Sequence, residues 1–173
     1  MLEKICEKDF DEIFAVMKAS FPQDEMRKKE EQRALFCESE YTVFAAREEG
    51  VLLGFLAVWD FPDVLYIEHF AVDGRLRGAG LGTKMLGELV RAAEKPVCLE
   101  VELPDNDIAK RRIGFYERNG FLLNDYPYIQ PPLSAGQKSL PLRIMTYGRK
   151  ISQDEYEKIK RLLYARVYKY TEV

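Results

Sequence analysis

The chain has 173 residues, enough for one ordinary domain around one hydrophobic core. Hydrophobic residues make up 47% and charged residues 32%, the balance of a soluble globular protein, and a net charge of −3 with a pI near 5.4 argues against a nucleic-acid-binding role. The charges at Glu3, Lys4, Glu7, Lys8 and Asp9 exclude a signal-peptide apolar region, and no apolar run approaches the ~20 residues of a membrane helix.

Met1 to Cys6 reads as a short first strand. Phe10, Ile13, Phe14 and Met17 recur at helical spacing, which predicts a helix over 10–19 with Asp9 as N-cap and Pro22 beyond its end. Gln23 to Phe36 is dense in charge and free of glycine and proline, so a second, mostly exposed helix is expected. Two strands, 42–46 and 51–59, follow around Arg47-Glu48-Glu49-Gly50, a hairpin with Gly50 at the positive-φ position. A fourth strand covers 65–72. The glycine segment 78–82 then opens a helix to about Glu94, striped by Leu81, Met85, Leu86, Leu89, Val90 and Ala93.

A fifth strand is predicted over 97–103, a helix over 108–119 that Gly120 ends, and the start of a further strand at 121–123. The proline-rich stretch 125–142 reads as a loop, and 143–147 as the last strand. Ser152 with Glu155 forms a capping box before a final helix at about 153–170. No repeat or composition break marks a second domain, so one domain over 1–173 is expected, a mixed sheet flanked by helices. Cys6, Cys37 and Cys98 are widely spaced and lack a Cys-x-x-Cys pair. Zinc is therefore not expected, the odd thiol count fits a reducing cytoplasm, and all three read as small buried hydrophobes.

The chemistry concentrates in Ile67-Glu68-His69-Phe70-Ala71-Val72, then Arg77-Gly78-Ala79-Gly80-Leu81-Gly82, then a helix. Glycines between a strand and a helix let the backbone approach a phosphate, and the helix-start amides with their dipole hold its charge. A pyrophosphate fits, with Arg75, Arg77 and Lys84 adding positive charge. A P-loop would need Lys where Thr83 stands, and a dinucleotide fold would need Gly-x-Gly-x-x-Gly where this chain has Gly-x-Gly-x-Gly.

Arg77-x-x-Gly80-x-Gly82 after a strand resembles the signature of the GNAT acyltransferases, Arg or Gln, two residues, Gly, one residue, Gly or Ala. Phe115-Tyr116-Glu117 leading into Gly120-Phe121 resembles a second element of that family, and the likeness runs roughly from Val51 to Met145. It implies the acyl-CoA N-acyltransferase fold, an α/β (α+β) arrangement with a mixed, mostly antiparallel central sheet of six to seven strands flanked by helices. It also implies acetyl-CoA as cosubstrate, held across a splay between the fourth and fifth strands. Backbone groups of Phe70 and Val72 would pair with the pantetheine arm, and amides of Arg77, Gly78, Ala79, Gly80, Leu81, Gly82 and Thr83 would hold the pyrophosphate. Where the family often has an Asn contacting the coenzyme, seven residues before the helical Tyr, this chain has Ala109, and Asn106 three residues earlier is the candidate.

The resemblance implies that Tyr116 protonates the departing thiolate and that Glu68 deprotonates the amine, directly or through water. Burial is expected to raise the Glu68 pKa and make it a better base. His69, the sole histidine, reads as a hydrogen-bonded core residue beside Leu65 and Ile67. Glu100 and Glu102 share a strand face that holds a cationic amine or meets water. Lys110, Arg111 and Arg112 read as a solvated helix face. In the last helix Tyr156, Ile159, Leu163, Val167 and Tyr170 form an apolar stripe suited to docking, as at a homodimer interface. The expected function is direct acetyl transfer to an unidentified small-molecule or peptide amine, without a metal, nucleic acid or membrane. Transfer of another acyl group and a non-catalytic coenzyme A sensor are the alternatives.

Overall fold

The computed structural model describes residues 2–76 and 78–170. The chain divides into two compact units, Met1–Lys95 and Pro96–Val173.

In the first unit the alternating apolar residues of β2 (Tyr41–Glu48), β3 (Val51–Asp60) and β4 (Leu65–Val72) pair antiparallel in sequence order, with β1 (Leu2–Lys4) added beside β2. Glu49 at φ +50° and Gly50 at φ +80° make the two-residue turn of the β2–β3 hairpin. One register step sets up the site. Ala57 faces His69 while Val58 faces Ile67, so Glu68 is the additional residue of a β-bulge. The strict two-residue alternation assumed for this strand is interrupted there.

Helix α1 (Phe10–Ser20) buries Phe10, Ile13, Phe14 and Met17. Asp9 precedes it, but its carboxylate does not cap the helix; it accepts from the Cys6 amide at 3.4 Å, across the single 3-10 turn Glu7–Asp9. The exposed helix expected over 23–36 does not form as one element. It is a 3-10 turn at Gln23–Glu25, a short helix α2 (Lys29–Ala34) and another 3-10 turn at Leu35–Cys37. The cause is burial: Met26, Arg27 and Gln32 all turn inward, and no single exposed face could place them there. Cys37 closes the last turn, exposed like Cys6; only Cys98 is the buried hydrophobe expected.

Helix α3 (Leu81–Ala92) buries Met85, Leu86, Leu89 and Val90 and packs on β1 and β4. Gly54 permits that approach. A Cβ there would stand 2.7 Å from the Ala71 carbonyl oxygen and 3.1 Å from the Met85 sulfur.

In the second unit β8 (Leu140–Tyr147) pairs antiparallel with β5 (Val97–Glu102), β6 (Phe121–Leu123) and β7 (Tyr128–Gln130). Strand β7, inside the stretch expected to be a loop, brings the strands among the described residues to eight. Pro127 and Pro131 flank β7 without entering it, and Tyr128 and Gln130 bury its inner side. Helix α4 (Asp107–Arg118) packs on β5 and β6, and Gly120 at φ +85° turns the chain out of it.

Asn124, 1% exposed, ties this unit together: its Nδ2 donates to the Ile144 carbonyl at 3.1 Å and to Thr146 Oγ1 at 3.0 Å, and its Oδ1 accepts from the Ile151 amide at 3.0 Å. Helix α5 (Gln153–Arg166) begins with the expected Ser152–Glu155 capping box. Its Tyr156 hydroxyl donates to the Pro127 carbonyl at 2.6 Å and its Tyr164 hydroxyl to the Ile129 carbonyl. Tyr156, Leu163 and Val167 of the stripe read as a docking face are buried in the chain itself, whereas Tyr170 is exposed.

Gly54→Ala should lower stability by about 1–3 kcal/mol, because a methyl group has no room against backbone. Urea unfolding of parent and variant checks this; an unchanged midpoint would mean that β3 and β4 yield to admit it.

Candidate active site

Strand β4 delivers its end to a left-handed glycine turn. Gly78 and Gly80 adopt φ +87° and +78°, and a Cβ on either would meet nothing within 4 Å. Gly80 is the N-cap of the twelve-residue helix α3, and the Lys84 amide donates to its carbonyl at 3.0 Å. The first-turn amides of Leu81, Gly82 and Thr83 have no intrahelical acceptor, as at any helix start, and the dipole adds to their pull on an anion. The Ala79 amide is spent on the Leu76 carbonyl at 3.3 Å. Arg75 is turned to Asp73, with a 2.7 Å ion pair at the surface, and Arg77 lies outside the described residues. Phe70 and Val72 stand half-buried on β4 opposite Leu56 and Gly54 of β3.

Glu68 is a paired carboxylate. Arg27 Nη1 donates to its Oε1 at 2.8 Å, and the two side chains are 6% and 3% exposed. Burial raises the Glu68 pKa, but the Arg27 charge and the neighbouring His69 outweigh it and hold it at about 2. The expected upward shift is therefore reversed. His69 Nδ1 lies 3.4 Å from Glu68 Oε2, and His69 Nε2 stands 2.8 Å from the Glu25 carbonyl oxygen. Tyr41, whose phenol burial and the Glu68 charge push up, accepts from Gln32 Nε2 at 3.0 Å. Arg27 escaped the sequence reading because nothing local distinguishes it from Lys28 and Lys29.

In the second unit Tyr116 lies on α4, buried between the rings of Phe115 and Phe121. Burial pushes its phenol up to about 12 despite Arg112, so it stays protonated across the physiological range. Asn106 caps α4, accepting from the Ala109 amide at 2.9 Å, which commits its oxygen. Glu100 accepts from the Tyr168 hydroxyl at 2.7 Å, and Glu102 pairs with Arg112 at 3.2 Å. Arg112 is thus tied to β5, beyond the solvated face expected.

The chain as a whole is similar to known proteins. Residues 8–121 match the model of the Acetyltransferase (GNAT) family. The chain belongs to that family. A solved structure named as a GNAT-family acetyltransferase of Bacteroides thetaiotaomicron is similar to this GNAT chain at 32% identity and TM-score 0.91, over 99% of each chain. A Bacillus subtilis (strain 168) protein named as an acetyltransferase, YjbC, is 31% identical over 103 residues, 58% of this chain and 52% of that one. The GNAT chain therefore spans about half the length of this curated relative. Arabidopsis thaliana NAA60 in complex with acetyl-CoA shares the fold, with TM-score 0.65 at 17% identity over 85% of this chain and 97% of that one.

The Arg27–Glu68 pair carries a signature in acid. Folding lowers the carboxyl from 4.5 to about 2, so its contribution to stability is fully present above the unfolded value and lost as pH falls toward the folded one. The stability gap between the parent and Glu68→Gln, measured by denaturant at pH 7 and pH 3, should narrow at pH 3. A constant gap would mean that the carboxyl does not titrate with folding.

Proposed function

We propose that this chain is an acetyl-CoA-dependent N-acetyltransferase that moves the acetyl group directly to the amine of a small molecule or peptide. The left-handed glycine turn at the start of α3 carries the reading: two glycines with open space where side chains would stand, followed by unbonded helix-start amides. A pyrophosphate placed there accepts from Leu81, Gly82 and Thr83. The pantetheine arm pairs with the backbone at Phe70 and Val72 as an added strand would. The amine nitrogen attacks the thioester carbonyl, its surplus N–H proton leaves by way of the Glu68 carboxylate, directly or through water, the carbon–sulfur bond breaks, and the thiolate takes the phenolic proton of Tyr116. That hydroxyl donates to no described residue, which suits a donor reserved for the leaving group. The three free thiols suit a reducing cytoplasm.

Gly80→Asp tests the cradle. An aspartate tolerates a left-handed backbone better than most residues, so the fold should persist. Thermal stabilisation by coenzyme A should vanish, because bulk and like charge meet the phosphates; stabilisation equal to the parent's would refute the placement. Tyr116→Phe tests the donor. Turnover should fall ~10²–10⁴-fold while coenzyme A affinity holds, and a rate within about twofold of the parent would assign Tyr116 to packing alone.

A further inference from the structure

A phenol that gives its proton to a departing sulfur is left as a phenolate, and the surroundings of Tyr116 suit that ion poorly. The residue is 8% exposed and lies between the rings of Phe115 and Phe121, which bring it no charge. Burial pushes the phenol up to about 12, whereas a thiol ordinarily titrates near about 8.5, so the transfer runs uphill. An anion in such a place needs a cation nearby. Arg112 supplies one. It stands four residues before Tyr116 on α4, the spacing that sets two side chains on one helix face. Helical side chains lean toward the N-terminus, so Tyr116 leans over the turn that carries Arg112. Lys110 and Arg111 beside it are exposed, but Arg112 is half-buried and tied to the sheet. Its Nη1 donates to Glu102 Oε2 on β5 at 3.2 Å, and the two side chains are 32% and 33% exposed. Glu102 thus tethers the guanidinium without cancelling its pull, which still opposes burial at the phenol.

We propose that Arg112, tethered by Glu102, is a positioning residue for acyl transfer: it stabilises the phenolate that Tyr116 becomes while it protonates the coenzyme A sulfur. This rests on the reading of Tyr116 as the proton donor. In that step the carbon–sulfur electron pair leaves on sulfur, the phenolic proton passes from oxygen to sulfur, and the O–H electron pair stays on oxygen. The oxygen is negative until solvent returns a proton. Arg112 touches neither the thioester nor the amine and acts through the phenol alone. A neutral phenol gains little from a nearby cation and a phenolate gains much, so the help is given as the charge develops, where it speeds the step and does not merely tighten binding. The tether matters because a free arginine side chain spreads over many rotamers, and holding it against β5 keeps the charge in place when it is needed.

Thiol release from acetyl-coenzyme A with a pooled library of primary amines measures turnover. Arg112→Gln should lower kcat about three- to tenfold, the scale of one partly screened charge, and Arg112→Lys should restore most of the loss. Thermal stabilisation by coenzyme A should be unchanged in both. A double-mutant cycle decides the role: in a Tyr116→Phe background no phenolate forms, so Arg112→Gln should cost nothing further. Arg112→Met keeps the apolar stem and carries the same cycle if the glutamine variant does not fold. An equal loss with and without the Tyr116 hydroxyl would make Arg112 a packing residue. Lost stabilisation by coenzyme A would make it a coenzyme contact, and parental turnover in Arg112→Gln would leave it no part in the reaction. Each of these results overturns the assignment. Parental turnover in Tyr116→Phe alone would instead remove the proton-donor reading, and that single variant reports it before Arg112 is touched.

Discussion

A guanidinium and a carboxylate, both nearly dry, set the terms for the first half of this molecule. Each charge costs several kcal/mol to bury, and their attraction offsets that cost only in good geometry with further hydrogen bonds. The 2.8 Å contact of Arg27 with Glu68 meets the first condition. The bulge meets the second, since the additional residue in β4 turns the carboxylate toward both Arg27 and His69. Removing either partner would strand the other charge, typically at 3–5 kcal/mol, so the segment around Met26 and Arg27 must stay folded inward.

Burial alone moves a titratable group in one direction only, and two buried groups of this chain show the contrast. Tyr116 shows burial prevailing over Arg112: its phenol is pushed to about 12 and stays protonated. Glu68 shows burial outweighed: at about 2 it is an anion at any working pH. The difference lies in the partner. Arg112 exerts a small pull on Tyr116, whereas Arg27 bonds Glu68 directly.

How much of this was legible in the sequence follows from the range of each signal. Strand β4 was read with its observed ends, because its alternation and its flanking breaks are local. The glycine turn was legible for the same reason, since positive φ requires particular residues at particular positions. The 23–36 segment was misread because Arg27 is 41 residues from its partner, and composition makes it look like any exposed basic residue. The bulge was missed since a parity argument has no means of detecting an inserted residue. The loop reading of 125–142 failed where prolines, normally strand breakers, stand just outside the two ends of β7.

Gly54 has no role in proton transfer and lies on a strand away from the glycine turn, yet its missing side chain fixes how near α3 can come to the backbone of β4. Since α3 also begins at the glycine turn, the placing of that helix start depends on an absence of atoms one strand away. In a saturation screen scored by activity, position 54 would behave like an active-site residue although no reacting atom touches it. Intolerance there would report on clearance, and chemistry would have to be inferred from positions where the shape is kept and only the functional group is lost.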